Sequence, residues 1–160
     1  MNTYRLFSLM FSYPSAETVQ GIAEMLQNGD YSKLSSPGAL MLAPLEALQS
    51  EYTKLFISDF PFLLCPPYES YYREGIVYGN ALVEVAEFYR AHGLNFAYEG
   101  EPPDLLSAEL DFMAITNNKA FLKRLKEWVF GFTERVKKHS EIYGVCSDEL
   151  EGFLKQEQCA

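Results

Sequence analysis

Residues 101–113, EPPDLLSAELDFM, decide how this sequence is read. Two adjacent prolines suit the start of a helix, where a missing backbone N–H removes no intrahelical bond. Asp104 follows them, at a position where the positive end of the helix dipole stabilises a carboxylate. With a turn of about 100° per residue, Leu105, Leu106, Phe112 and Met113 share one apolar arc with Glu109 in its middle, while Asp104, Ser107 and Asp111 lie opposite. A carboxylate inside an apolar stripe is costly to bury unpaired. Glu109 is therefore expected to be a structural buried carboxylate that accepts hydrogen bonds from a tyrosine, an arginine or a backbone amide. The spacing predicts a helix over 103–116.

The rest of the chain shows the same period. Clusters of glycine, proline and serine separate segments of helical apolar spacing, and no segment alternates as a strand would. The expected fold is all-α: one single-domain helical bundle over 1–160, with helices at 3–11, 16–27, 44–57, 80–92, 103–116, 119–139 and 147–156. On the third helix Leu45, Leu48, Tyr52, Leu55 and Phe56 share a face. On the sixth, Phe121, Leu125, Val129, Phe132 and Val136 form a stripe backed by lysines and arginines, which predicts a core-facing helix with a basic outer side. The exception is 58–79, SDFPFLLCPPYESYYREGIVYG, a loop rich in proline and aromatic residues. Loops of this length are commonly functional, and tyrosines can line a groove with apolar area and hydroxyls together. Packing over the end of the bundle is the plainer role for the same rings.

Composition limits the function classes. With 160 residues and 48% hydrophobic content, the chain can bury a core without covalent staples. Cys65, Cys146 and Cys159 form no CxxC pair, which suggests a reducing compartment, and the expected location is cytoplasmic. The N-terminal segment lacks a secretory cleavage pattern, and no apolar run approaches the roughly 18 residues of a membrane span. The net charge of −9 is uneven. Residues 119–138 hold seven bases and two acids, a net +5, while the remainder holds six bases and twenty acids, a net −14. An acidic body argues against a nucleic-acid partner and suits a basic one, although charge alone also describes ordinary solvated faces.

Catalytic patterns are scarce. His92 and His139 fall at helix ends and have no HExxH or CxxC companion, and no nucleophile elbow, Walker loop or GxGxxG fingerprint occurs. No catalytic residue, metal site or cofactor is expected. An acid–base enzyme using Glu109 and Asp104 would need both on one pocket, whereas the helical projection puts them on opposite sides.

Several strings, in order, resemble the TorD/DmsD/NarJ-like redox enzyme maturation chaperones: EYTKLF at 51–56, CPPYESYY at 65–72, FYRAHGL at 88–94 and the EPPDLLSAELDFM stretch itself. RLKEW at 124–128 is similar to the family's HLxxW segment, with arginine replacing the histidine. The resemblance implies an all-helical, non-enzymatic cytoplasmic chaperone, without cofactor. Its partner would be the precursor of a molybdenum-containing oxidoreductase, bound through a twin-arginine leader, and the chain would act as a monomer or homodimer. By position, the implied peptide-binding surface is Tyr52, Leu55, Phe56, Tyr68, Glu69, Ser70, Tyr71, Pro103, Asp104 and Leu105. Apolar leader residues would pack on Leu55, Phe56 and the loop tyrosines, and Asp104 and Glu69 would attract the arginines. The family commonly has histidine where this chain has Leu105, so any role of an imidazole there is lost. The alternative is a permanent structural or assembly subunit of a respiratory complex, which would present a large flat apolar face and no groove.

Overall fold

A computed structural model describes residues 2–58, 62–95 and 100–159. Every regular element among them is helical. In chain order these are α1 (Thr3–Met10), α2 (Ala16–Asn28), α3 (Ser36–Leu42), α4 (Leu45–Tyr52), a π-helical segment (Thr53–Ile57), α5 (Glu69–Glu74), α6 (Asn80–Ala91), α7 (Leu106–Thr116), α8 (Lys119–His139) and α9 (Ile142–Gln156). The all-α expectation holds.

Helix α7 lies at the centre of the bundle. Leu106, Ser107, Ala108, Glu109, Leu110, Phe112 and Met113 are all buried, so the helix is enclosed rather than amphipathic. Its supposed polar side is covered by α1, whose Ser8 hydroxyl donates to the Ser107 carbonyl at 2.9 Å. The long α8 packs along α9, and the expected stripe of Phe121, Leu125, Val129, Phe132 and Val136 is fully buried. The Asn118 side chain accepts from the Phe121 amide at 2.8 Å and so fixes the start of α8.

Several elements differ from the sequence expectation, and for three of them the tertiary reason is plain. α3 is an additional helix. Pro37 and Gly38 read as breakers, but proline fits a first turn, and Glu149 of α9 accepts the Ser35 and Ser36 amides at 2.7 Å each. α9 starts at Ile142, ahead of the expected 147, because Gly144 lets α9 approach α8; a Cβ there would lie 3.4 Å from the Lys137 Cα. α7 starts at Leu106 rather than 103, because 104–106 is held by the loop before α5.

The expected basic outer side of α8 is largely tied down. Arg124 reaches Glu84 at 2.7 Å, Lys137 reaches Glu134 at 2.8 Å and Glu151 at 3.1 Å, and Arg135 donates to the Leu64 carbonyl at 2.6 Å. These bases brace neighbouring elements. No helix among the described residues is long and apolar enough to cross a membrane.

Candidate functional site

The third expected helix, 44–57, divides into α4 and the π-helical segment. In the π turn the Ser58 amide donates to the Thr53 carbonyl at 2.8 Å, and the Leu55 carbonyl instead accepts the Cys65 amide at 2.9 Å. Such turns are rare and occur often at functional sites, because one extra residue re-aims the side chains around it. Here the turn separates Leu55, which is fully buried, from Ile57, which is 55% exposed.

The returning chain forms the facing wall. Residues 67–69 pair with 104–106 through an isolated antiparallel bridge between Tyr68 and Leu105. The Leu106 amide donates to the Pro67 carbonyl at 2.8 Å, and the Glu69 amide to the Asp104 carbonyl at 3.0 Å. The predicted loop 58–79 is thus partly structured, with α5 inside it; residues 59–61 lie outside the described residues.

Behind this bridge sits a buried junction of acids and bases. Asp104 does not occupy the first turn of α7. Its Oδ2 accepts the Ser70 amide at 2.8 Å and the Ser70 hydroxyl at 2.6 Å, capping α5 from another segment. Glu69 Oε2 receives Arg73 and Arg124, each at 2.5 Å. Glu109 Oε1 accepts the Trp128 indole N–H at 3.1 Å. Its donor is therefore an indole rather than the tyrosine, arginine or amide expected. Glu109 Oε2 and Glu69 Oε1 are also buried, and no N–H donor reaches either. Burial first, and the negative Glu69 beside it second, push the Glu109 carboxyl well above the ordinary carboxylate range. Two arginines pair with Glu69, while burial favours the protonated form of Glu109.

In front of the bridge lies an open cleft of about 330 Å³. Tyr52, Phe56 and Ile57 form one side, Pro67, Tyr68 and Leu105 another, and Ser12 and Tyr13 close the end between α1 and α2. Its rings are set by packing: Tyr52 lies edge-on to Phe56 at 4.8 Å and to Tyr13 at 5.6 Å, and its hydroxyl donates to the Phe11 carbonyl at 3.0 Å. Glu101 also lines the cleft, and its Oε2 accepts the Tyr68 hydroxyl at 2.7 Å.

Of the residues expected to contact a peptide, Tyr52, Phe56, Tyr68 and Leu105 meet in this cleft. Four others are corrected in role. Leu55, Glu69, Ser70 and Asp104 have zero exposure, and the polar side chains of Glu69, Ser70 and Asp104 face the junction, so the four support the wall rather than present a surface. The attraction of arginines by Asp104 and Glu69 is accordingly not available on this surface. Tyr71 lies under the Arg135 guanidinium, 5.2 Å from its ring centre, and the Pro103 carbonyl takes the Tyr89 hydroxyl at 2.7 Å; neither lines the cleft. Tyr13, Ile57 and Glu101 are cleft residues that the sequence did not single out. Glu101 was within reach as the first residue of the deciding stretch, whereas Tyr13 joins through tertiary packing. Among the described residues no group of histidine, cysteine or acidic side chains could hold a metal ion.

The comparisons with known proteins converge. No curated protein gives a significant sequence match. The crystal structure of a putative redox enzyme maturation protein from Archaeoglobus fulgidus superposes with a TM-score of 0.86 at 40% identity, covering 97% of this chain and 93% of that one. The family described as nitrate reductase delta subunit matches residues 11–143. Over that span, which includes both walls of the cleft and the junction behind them, the chain belongs to this family of NarJ/TorD-type redox enzyme maturation proteins.

Proposed function

We propose that this protein is a cytoplasmic, non-enzymatic chaperone that holds the twin-arginine leader, or the apo form, of a molybdenum-containing oxidoreductase until the client is ready for export or assembly. The observation that carries this reading is the aromatic cleft formed by Tyr52, Phe56, Tyr68 and Leu105, in a chain of the maturation family. An apolar segment entering it would cover Ile57 and Tyr13, which are 55% and 43% exposed. Burying such side chains contributes roughly 1.5–3 kcal/mol each at full burial, enough to hold an unfolded leader reversibly.

The buried acids support a non-catalytic role. Glu109 and Asp104 both have zero exposure and sit in the junction, and neither lines the cleft. A permanent subunit of a respiratory complex is the second reading, favoured by the family's description as a delta subunit. It calls for a broad flat face, whereas exposed apolar residues such as Leu42 on α3, Ile76 between α5 and α6 and Ile115 on α7 come from well-separated parts of the chain.

Copurification from the native cells distinguishes the two. A tagged chain is expected to retain a redox-enzyme precursor with its leader intact, identified by mass spectrometry. Recovery of mature, assembled enzyme would establish the subunit reading instead, and recovery of no redox enzyme would remove both.

A further inference from the structure

One arginine is held in place without an acid. Of the five arginines, Arg5, Arg73, Arg90 and Arg124 each meet a carboxylate, whereas among the described residues none forms an ion pair with Arg135 of α8. Its side chain is half-buried and its position is set. The Nε donates to the Leu64 carbonyl at 2.6 Å, and the guanidinium lies over the Tyr71 ring, 5.2 Å from its centre. The Nη1–Nη2 edge remains, and two parallel N–H groups match the two oxygens of a carboxylate. A second donor shares the neighbourhood: the Tyr72 hydroxyl is buried and has no hydrogen-bond partner. Burial, and then Cys65, push that hydroxyl far above its ordinary range, while Arg135 draws it back. The acid next to Arg135 in the chain, Glu134, is paired with Lys137 at 2.8 Å. Lys138, three residues on, is exposed, and Phe62, two residues before Leu64, is 59% exposed.

We propose that Arg135, seated on Tyr71, is a docking point for a carboxylate of a partner protein, in a segment that also lays an apolar side chain on Phe62. Charge complementarity selects that partner. In a chain of net charge −9 most of the surface repels an acidic segment, and a guanidinium free of any internal acid is where one is attracted. The stacking on Tyr71 and the bond to Leu64 orient the fork beforehand, so little side-chain freedom is lost when a carboxylate arrives. Neither Arg135 nor Tyr71 lines the cleft, and the inference holds whatever the cleft takes. The protein then has two contacts of opposite preference, an aromatic cleft and a basic fork.

Fluorescence anisotropy tests this on the full chain with a labelled peptide in which two glutamates flank a leucine–phenylalanine pair, and with the same peptide carrying glutamines. The glutamate peptide is expected to bind about fivefold more tightly at low salt, an advantage that shrinks as salt rises. Arg135→Gln should abolish the advantage and leave the glutamine peptide unaffected. Arg135→Lys keeps the charge without the fork and should retain only part of it. Phe62→Ser should weaken both peptides alike. Equal binding of the two peptides by the wild-type protein, a glutamate advantage that survives Arg135→Gln, or no effect of Phe62→Ser would each overturn the proposal. Because Arg135 also braces Leu64, circular dichroism checks that its variants fold; if Arg135→Gln does not, an undiminished advantage in Arg135→Lys overturns the proposal in its place. Displacement of the glutamate peptide by inorganic phosphate, at concentrations near the peptide's own Kd, would make this a free-anion site and remove the protein partner.

Discussion

The junction and the cleft share two pieces of chain, 67–70 and 101–109, and they use opposite chemistry. On one side of the Tyr68–Leu105 bridge, Asp104, Glu69 and Glu109 are sealed in with Arg73, Arg124 and Trp128. On the other, tyrosine, phenylalanine and leucine side chains line an open space with one exposed carboxylate. Charge in this region mostly faces inward, where it fixes the wall, and apolar surface faces outward into the cleft. Changes to the junction should therefore appear as lost stability, and changes to the cleft as lost binding with stability intact.

The largest expected effect is from Arg124→Met, which leaves the buried Glu69 with Arg73 alone. Removing one member of a buried ion pair costs about 3 kcal/mol, and adding Glu69→Gln should recover part of it because the stranded charge is gone. Urea unfolding measures both; a loss below about 1 kcal/mol would mean that the junction is not what holds the wall. Asp104→Ala comes next, at about 2 kcal/mol, since it strips the acceptor from both the amide and the hydroxyl of Ser70.

Glu109 gives a pH signature. Its proton is held more tightly in the folded than in the unfolded chain, so its contribution to stability is full below the unfolded value and is lost as pH rises through the folded one. Glu109→Gln is neutral throughout and keeps an acceptor for Trp128. It should gain stability relative to wild type as pH rises above the ordinary carboxylate value of about 4.3, and parallel curves would remove the carboxyl pair from the account.

The cleft variants come last in stability and first in binding. Tyr13→Ser and Ile57→Ser should stay within about 0.5 kcal/mol of wild type in urea while weakening a leader peptide severalfold. Leu105→His restores the imidazole that the family commonly carries. Its protonation below about pH 6.5 would set a cation near Glu101, and binding of an arginine peptide should then weaken on acidification. Binding independent of pH in that variant would separate Leu105 from Glu101.

Much of this comparison was legible in the sequence, but not which side each residue faced. The 3.6-residue period located α8 and its buried stripe, since every contact of that stripe repeats along one helix. Pro102 and Pro103 read as the start of α7, but helix-start chemistry is local and cannot show that Asp104 serves a different helix, α5. Glu109 was recognised as a carboxylate in need of a partner, while the partner, Trp128, lies on another helix. Carboxylates near a proposed cation site are naturally taken as the cation's ligands. Here two internal arginines pair with Glu69 and Ser70 takes Asp104, so the acid that lines the cleft is Glu101.

The Tyr68–Leu105 bridge also sets an order of events. It joins two pieces of chain separated by the whole of α5 and α6, so closing that loop carries an entropy cost that only the packing of α7 into the core offsets. One wall of the cleft thus cannot form until 67–69 and 104–106 have met across α5 and α6. A chain emerging from the ribosome carries the aromatic residues of the cleft well before it can close the cleft around them.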